Sequence, residues 1–156
     1  MKAFRIVHPR HGIRADAFSG RGTFLFPGRW NNPGCKMVYC SESLALATLE
    51  SIAHLSSPKS LRGYLWFSVN LPDDLIEMPQ AMPQGWNAKP GEDGYRGAVS
   101  ARFGSTWFQE QRSIALKVPS AVVPSEYNII VNPLHPKFDL SMIDGPFPIV
   151  WDERLT

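Results

Sequence analysis

The stretch KMVYCSESLALATLESIAHL, residues 36–55, contains a change of period that decides the fold class. Its first five residues, KMVYC, are apolar and β-prone and read as a strand. Ser41 or Ser43 can then accept a hydrogen bond from the first turn of a helix. Beyond them Leu44, Ala47, Leu49, Ile52, Ala53 and Leu55 form a broad apolar surface, so a helix of about thirteen residues is expected over 43–55.

Outward from this strand–helix unit the chain is mostly strand and loop. AFRIV (3–7), LWFSV (65–69) and the segments 114–118 and 127–131 read as further strands, and a short helix is expected around 99–110. Residues 8–36 are rich in Gly, Pro and Arg and read as a long loop, of the kind that is functional or disordered. Phe18, Phe24, Phe26 and Trp30 argue against disorder. Residues 77–97, studded with Pro and Gly, form a second long loop. The tail after Pro133 reads as irregular, with Pro146 and Pro148 limiting regular structure. Strands do not alternate regularly with helices, which argues against a doubly wound parallel sheet. The expectation is a single compact α+β domain over residues 1–156 with a small mixed or antiparallel sheet.

A chain of 156 residues can bury a core without a disulfide or metal staple. Cys35 and Cys40 have neither the spacing of a redox pair nor the number for a structural zinc site, so reduced thiols are expected. The opening MKAFRIVHPR has no apolar signal region, and no stretch approaches a membrane span, so a soluble cytoplasmic protein is expected. A net charge of +2 is too small to argue for nucleic acid. The charge is unevenly spread, however: residues 1–40 hold seven Lys or Arg against Asp16 alone. Such a basic quarter could face an anionic ligand, a phosphate compound or an acidic partner; the plainer alternative is a solvated face.

The familiar catalytic and phosphate-binding motifs are absent, and the four histidines lack a metal-ligand spacing, so no metal is expected. Glu50 is the most informative single residue. On the expected helix its neighbours one turn away are Leu46, Ala47, Ala53 and His54, a setting in which a carboxylate is costly unless paired or used. The alternative is a helix rotated to leave Glu50 at its solvent edge. Arg29 follows a glycine in the basic loop, as phosphate recognition favours, although an exposed loop arginine looks the same. Tyr39 falls on a strand, where packing is the default role. Ser120 and Asn132 sit in or beside turns, which turn chemistry alone would explain.

Together these segments resemble the RES domain, a family named for Arg, Glu and Ser. Phe4-Arg5, Phe18-Ser19-Gly20 with Gly22, and GRWNNPG at 28–34 resemble its opening. VYCSESLALATLE at 38–50 resembles its central unit, and Gly104 with Trp107 and LKVPSAVVPSEYNIIVNPLHPKF at 116–138 resemble its close. The resemblance covers about residues 4–140. Ser105 departs from it, since an acidic residue is expected after Gly104.

The resemblance implies a fold like that of ADP-ribosyltransferase toxins and a toxin that degrades NAD, consumed as substrate. The bond between nicotinamide and ribose would be cleaved by hydrolysis or by phosphorolysis with inorganic phosphate. The family's residues fall on Arg29, Tyr39 and Glu50 as the catalytic set. Trp30, Asn31, Ser120 and Asn132 join Arg29 and Tyr39 in binding NAD. The implied partner is an Xre-type helix-turn-helix antitoxin that covers the active site. A homodimer is left open, and no direct contact with nucleic acid or membrane is expected. A protein ADP-ribosyltransferase with the same pocket is the near alternative, and a non-enzymatic or RNA-binding module is the distant one.

Overall fold

The computed structural model describes residues 1–55, 61–152 and 154. The seven strands are β1 (Lys2–Val7), β2 (Val38–Ser41), β3 (Leu65–Asn70), β4 (Ile76–Glu77), β5 (Ala115–Pro119), β6 (Tyr127–Val131) and β7 (Ile143–Pro148). They form one sheet in the order β4-β5-β6-β2-β1-β3-β7. Every neighbouring pair is antiparallel except β4 and β5, so the sheet is mixed and the domain is α+β, as expected.

Side chains alternate across the sheet with period two, and the central strands are buried on both faces. Val38 and Cys40 of β2 and Ile129 and Val131 of β6 enter one core with Ala3, Phe67 and Val69. Ile130, Leu116 and Val118 enter a second core with Trp30, Met37 and Trp107. The helix α4 (Val99–Glu110) closes this second core, with Trp107 donating to Ser113 at 2.8 Å.

The helix α3 (Leu44–Ala53) packs on β1 and β2. Ser43 caps it by accepting from the Leu46 N–H at 3.0 Å. Two short helices, α1 (Arg14–Ala17) and α2 (Arg21–Leu25), interrupt the expected 8–36 loop. At four and five residues they are too short for a 3.6-residue period to register.

The irregular tail is corrected as well. Residues 143–148 form β7 despite Pro146 and Pro148, because β7 is an edge strand and must satisfy a ladder on one side only. The other addition, β4, is a two-residue strand at the opposite edge. Among the described residues no helix is long and apolar enough to cross a membrane.

One feature of the sheet prepares the site. β1 and β2 are paired only at Phe4 and Ser41; beyond that point the ladder is not continued. Arg5 bridges the opening, its Nη1 donating to the Tyr39 carbonyl at 2.9 Å and its Nε to the Ala17 carbonyl at 2.8 Å.

Candidate active site

The 28–31 segment is a tight turn closed by two reciprocal main-chain bonds between Gly28 and Asn31, at 3.0 and 3.2 Å. Gly28 is required by close approach: a Cβ there would lie 2.6 Å from Asn31 Oδ1 and 2.8 Å from the Tyr39 hydroxyl. That hydroxyl accepts from the Trp30 N–H at 2.8 Å and donates to Asn31 Oδ1 at 2.9 Å. Tyr39 thereby ties the turn to β2. Burial raises its phenol well above the ordinary value, so it is neutral across the physiological range.

Trp30 is 1% exposed and stacks on Trp86 with centroids 5.6 Å apart. The Asn31 amide donates to the carbonyls of Thr23, Phe26 and Asn32, so its donors serve the turn. Ser105, the departure from the family pattern, accepts from the Asn32 N–H at 2.9 Å and anchors the same segment to α4.

Arg29 projects from this turn toward the 77–97 loop. Its Nη1 donates to the carbonyls of Trp86 at 3.0 Å and Ala88 at 3.1 Å, and its Nη2 to the Tyr95 hydroxyl at 2.9 Å. The guanidinium carbon also lies 4.8 Å from the Tyr95 ring centre. The 77–97 loop is therefore tied to Arg29.

Glu50, on α3, is half-buried. Its Oε1 accepts from Ser120 Oγ at 2.7 Å and from Asn128 Nδ2 at 2.5 Å. Asn128 cannot turn its amide away at no cost, because its Oδ1 accepts from Ser41 Oγ at 2.8 Å. Ser120 is fully buried, and its oxygen also accepts from the N–H groups of Val122 and Val123 at 3.0 and 2.9 Å. The hydroxyl expected to touch ligand thus lies beneath the carboxylate and fixes it. Among the described residues no hydrogen bond reaches Glu50 Oε2.

These groups converge on a cavity of about 970 Å³, whose walls include Arg29, Trp30, Asn31, Tyr39, Glu50 and Asn128. Two expected residues are not on its wall. Ser120 supports it from below, as described. Asn132 is four residues past Asn128, just beyond the end of β6, which places it about 13 Å away along the strand direction. Its Oδ1 accepts from the Leu134 N–H at 3.0 Å in a local turn. Asn128 is the residue that sequence reading left out. Its position opposite Ser41 in the β2–β6 register is the signal, and that register exists only in the folded sheet.

The arrangement is a carboxylate held by two neutral donors, beside an aromatic ring and a cation. Such a site can stabilise positive charge that develops on a bound sugar. Among the described residues no three His, Cys, Asp or Glu side chains gather as metal ligands.

Comparison with known proteins bears on this geometry. The family described as RES domain matches residues 2–152. A "Prs ADP-ribosylating toxin" of Sphingobium sp. (strain YBL2) is 40% identical over 139 residues, covering 85% of this chain and 83% of that protein. A "Toxin Res" of Yersinia enterocolitica is 32% identical and covers 99% of each chain. A chain of the crystal structure of the M. tuberculosis MbcT–MbcA toxin–antitoxin complex superposes with a TM-score of 0.68 at 16% identity, over 95% of this chain and 83% of that one, a likeness of fold.

Proposed function

The chain belongs to the RES domain family, and from that membership we propose that it is the toxin of a toxin–antitoxin system and acts by consuming NAD. The observation that carries the chemistry is the Glu50 carboxylate, anchored by Ser120 and Asn128 on the wall of the large cavity. Breaking the bond between nicotinamide and ribose gathers positive charge on the sugar, and a fixed carboxylate stabilises it. Because the donors to Glu50 are already in place, little reorganisation is needed as the charge develops. Nicotinamide leaves with the bonding electron pair, and water or inorganic phosphate supplies the new bond to the ribose carbon.

Tyr39 presents a rigid ring face to the dinucleotide. Arg29 places positive charge at the cavity and holds the 77–97 loop beside it. Ser120 and Asn128 act as positioning residues for Glu50. An Xre-type antitoxin would neutralise the protein by occluding this cavity in the cytoplasm; the structural neighbour comes from a toxin–antitoxin complex, which supports an antitoxin partner of some type.

The experiment is to incubate the purified chain with NAD, with and without inorganic phosphate, and follow products by NMR. Release of nicotinamide supports the reading, and a requirement for phosphate selects phosphorolysis over hydrolysis. Glu50→Gln should abolish NAD loss while the protein remains folded. Intact NAD under both conditions would overturn it.

The second reading is transfer of ADP-ribose to a protein, and the name of the 40% identical relative favours it. Mass spectrometry of a target protein carrying the added group would select it.

A further inference from the structure

Between β4 and α4 the chain forms no further strand or helix, yet this segment is fixed against the 28–31 turn at several points. Arg29 Nη1 holds the carbonyls of Trp86 and Ala88, and Trp86 stacks on Trp30. The Gly97 N–H donates to Asn32 Oδ1 at 2.9 Å. Tyr95 lies between these anchors. Gly91 and Gly94 close the tip before it with two main-chain bonds of 3.0 Å, and the Ala98 N–H donates to its carbonyl at 3.0 Å. The half-buried Tyr95 side chain reaches the wall of the large cavity that also carries Glu50.

Two tyrosines line that cavity, and their hydroxyls differ. The Tyr39 hydroxyl is spent within the fold, accepting from Trp30 and donating to Asn31. The Tyr95 hydroxyl accepts from Arg29 Nη2 at 2.9 Å, and its own hydrogen meets no protein acceptor among the described residues. Hydrogen bonds in series reinforce one another, so an O–H whose oxygen accepts from a cation is a stronger donor. Arg29 itself is heavily committed. Three of its five N–H donors serve the 77–97 loop, including both on Nη1. The guanidinium is placed to hold Tyr95 and to polarise it.

We propose that Tyr95 is a substrate-contacting residue, donating its O–H to an oxygen of the bound substrate, and that Arg29 is the positioning residue that acts through it. The inference deepens the NAD-consuming reading and rests on it for the identity of the substrate. The accepting oxygen belongs to the carboxamide of the nicotinamide half or to the ADP-ribose half, and the two are separable by experiment.

The test combines kinetics, binding and exchange on the full chain. Tyr95→Phe keeps the ring and removes only the O–H. It should raise KM for NAD about five- to tenfold, the scale of one hydrogen bond, with kcat little changed and an unaltered unfolding midpoint. Arg29→Lys should raise KM at least as far, and the double variant no further than Arg29→Lys alone. Binding of ADP-ribose and of nicotinamide, measured separately, shows which half loses affinity in Tyr95→Phe. Amide exchange of residues 86–97 should quicken in Arg29→Lys.

Wild-type KM in Tyr95→Phe would overturn the contact. KM increases that multiply in the double variant, or unchanged exchange in Arg29→Lys, would overturn the action of Arg29 through Tyr95. A wild-type chain that leaves NAD intact, yet binds ADP-ribose more tightly than Tyr95→Phe does, would sink the proposed activity and keep the contact. NAD consumption that is indifferent to Tyr95→Phe would do the reverse, and a chain that neither consumes NAD nor binds either half would sink both.

Discussion

Glu50 shows how one side chain's meaning depends on its neighbours. Helical spacing sets it among Leu46, Ala47 and Ala53, where a carboxylate needs a reason, and the folded sheet supplies Ser120 and Asn128 as that reason. Asn128 is held by Ser41, so the pair transmits orientation from β2 to the carboxylate. Replacing Asn128 by Ala should therefore lower kcat about tenfold or more with KM little changed, since one charge-assisted bond to the reacting carboxylate is lost. Steady-state kinetics on NAD would check this. A KM rise at constant kcat would instead place Asn128 in substrate binding.

At the scale of elements, α4 and the 28–31 turn are built against each other. A Cβ on Gly104 would sit 2.0 Å from the Trp30 carbonyl oxygen, closer than any adjustment of rotamers can relieve. Gly104→Ala must push the turn away from α4, breaking the Asn32–Ser105 bond and disturbing the Trp30–Trp86 stack. A loss of about 1–3 kcal/mol, or more, is expected. Chemical denaturation would measure it, and activity should fall with it because Arg29 rides on the same turn. This is also why Gly104 and Trp107 are legible as a motif although neither faces the cavity: they shape the surface on which the turn rests.

Across the whole molecule, the shared sheet binds both cores and the cavity together, and its interior is poised against high pH. Burial pushes the Cys40 thiol up to about 12 and raises the Tyr39 phenol further still. Both are neutral in the fold and ionise more readily once unfolded. Their contribution is complete below the unfolded values, about 9 for the thiol and about 10 for the phenol, and is lost as pH climbs toward the folded ones. The unfolding free energy should fall by roughly 1.4 kcal/mol per pH unit for each group once pH exceeds its unfolded value, and the thermal midpoint should fall with it above about pH 9. A midpoint flat from pH 9 to 11 would contradict their burial.

Local pattern was enough for five strands and for α3 and α4, because periodicity and capping act over a few neighbouring residues; Arg29, Tyr39 and Glu50, which line one cavity, were singled out as a set by the resemblance to the RES domain, since each alone had an ordinary structural role open to it. Which face Ser120 and Asn132 present, the presence of Asn128 beside Glu50, the edge position that admits β7 with its prolines, and the bridging of the split between β1 and β2 by Arg5 were decided only in three dimensions. Each depends on how the folded chain brings separated segments together, from 34 positions apart for Arg5 and Tyr39 to 70 for Glu50 and Ser120, and no spacing along the chain encodes them.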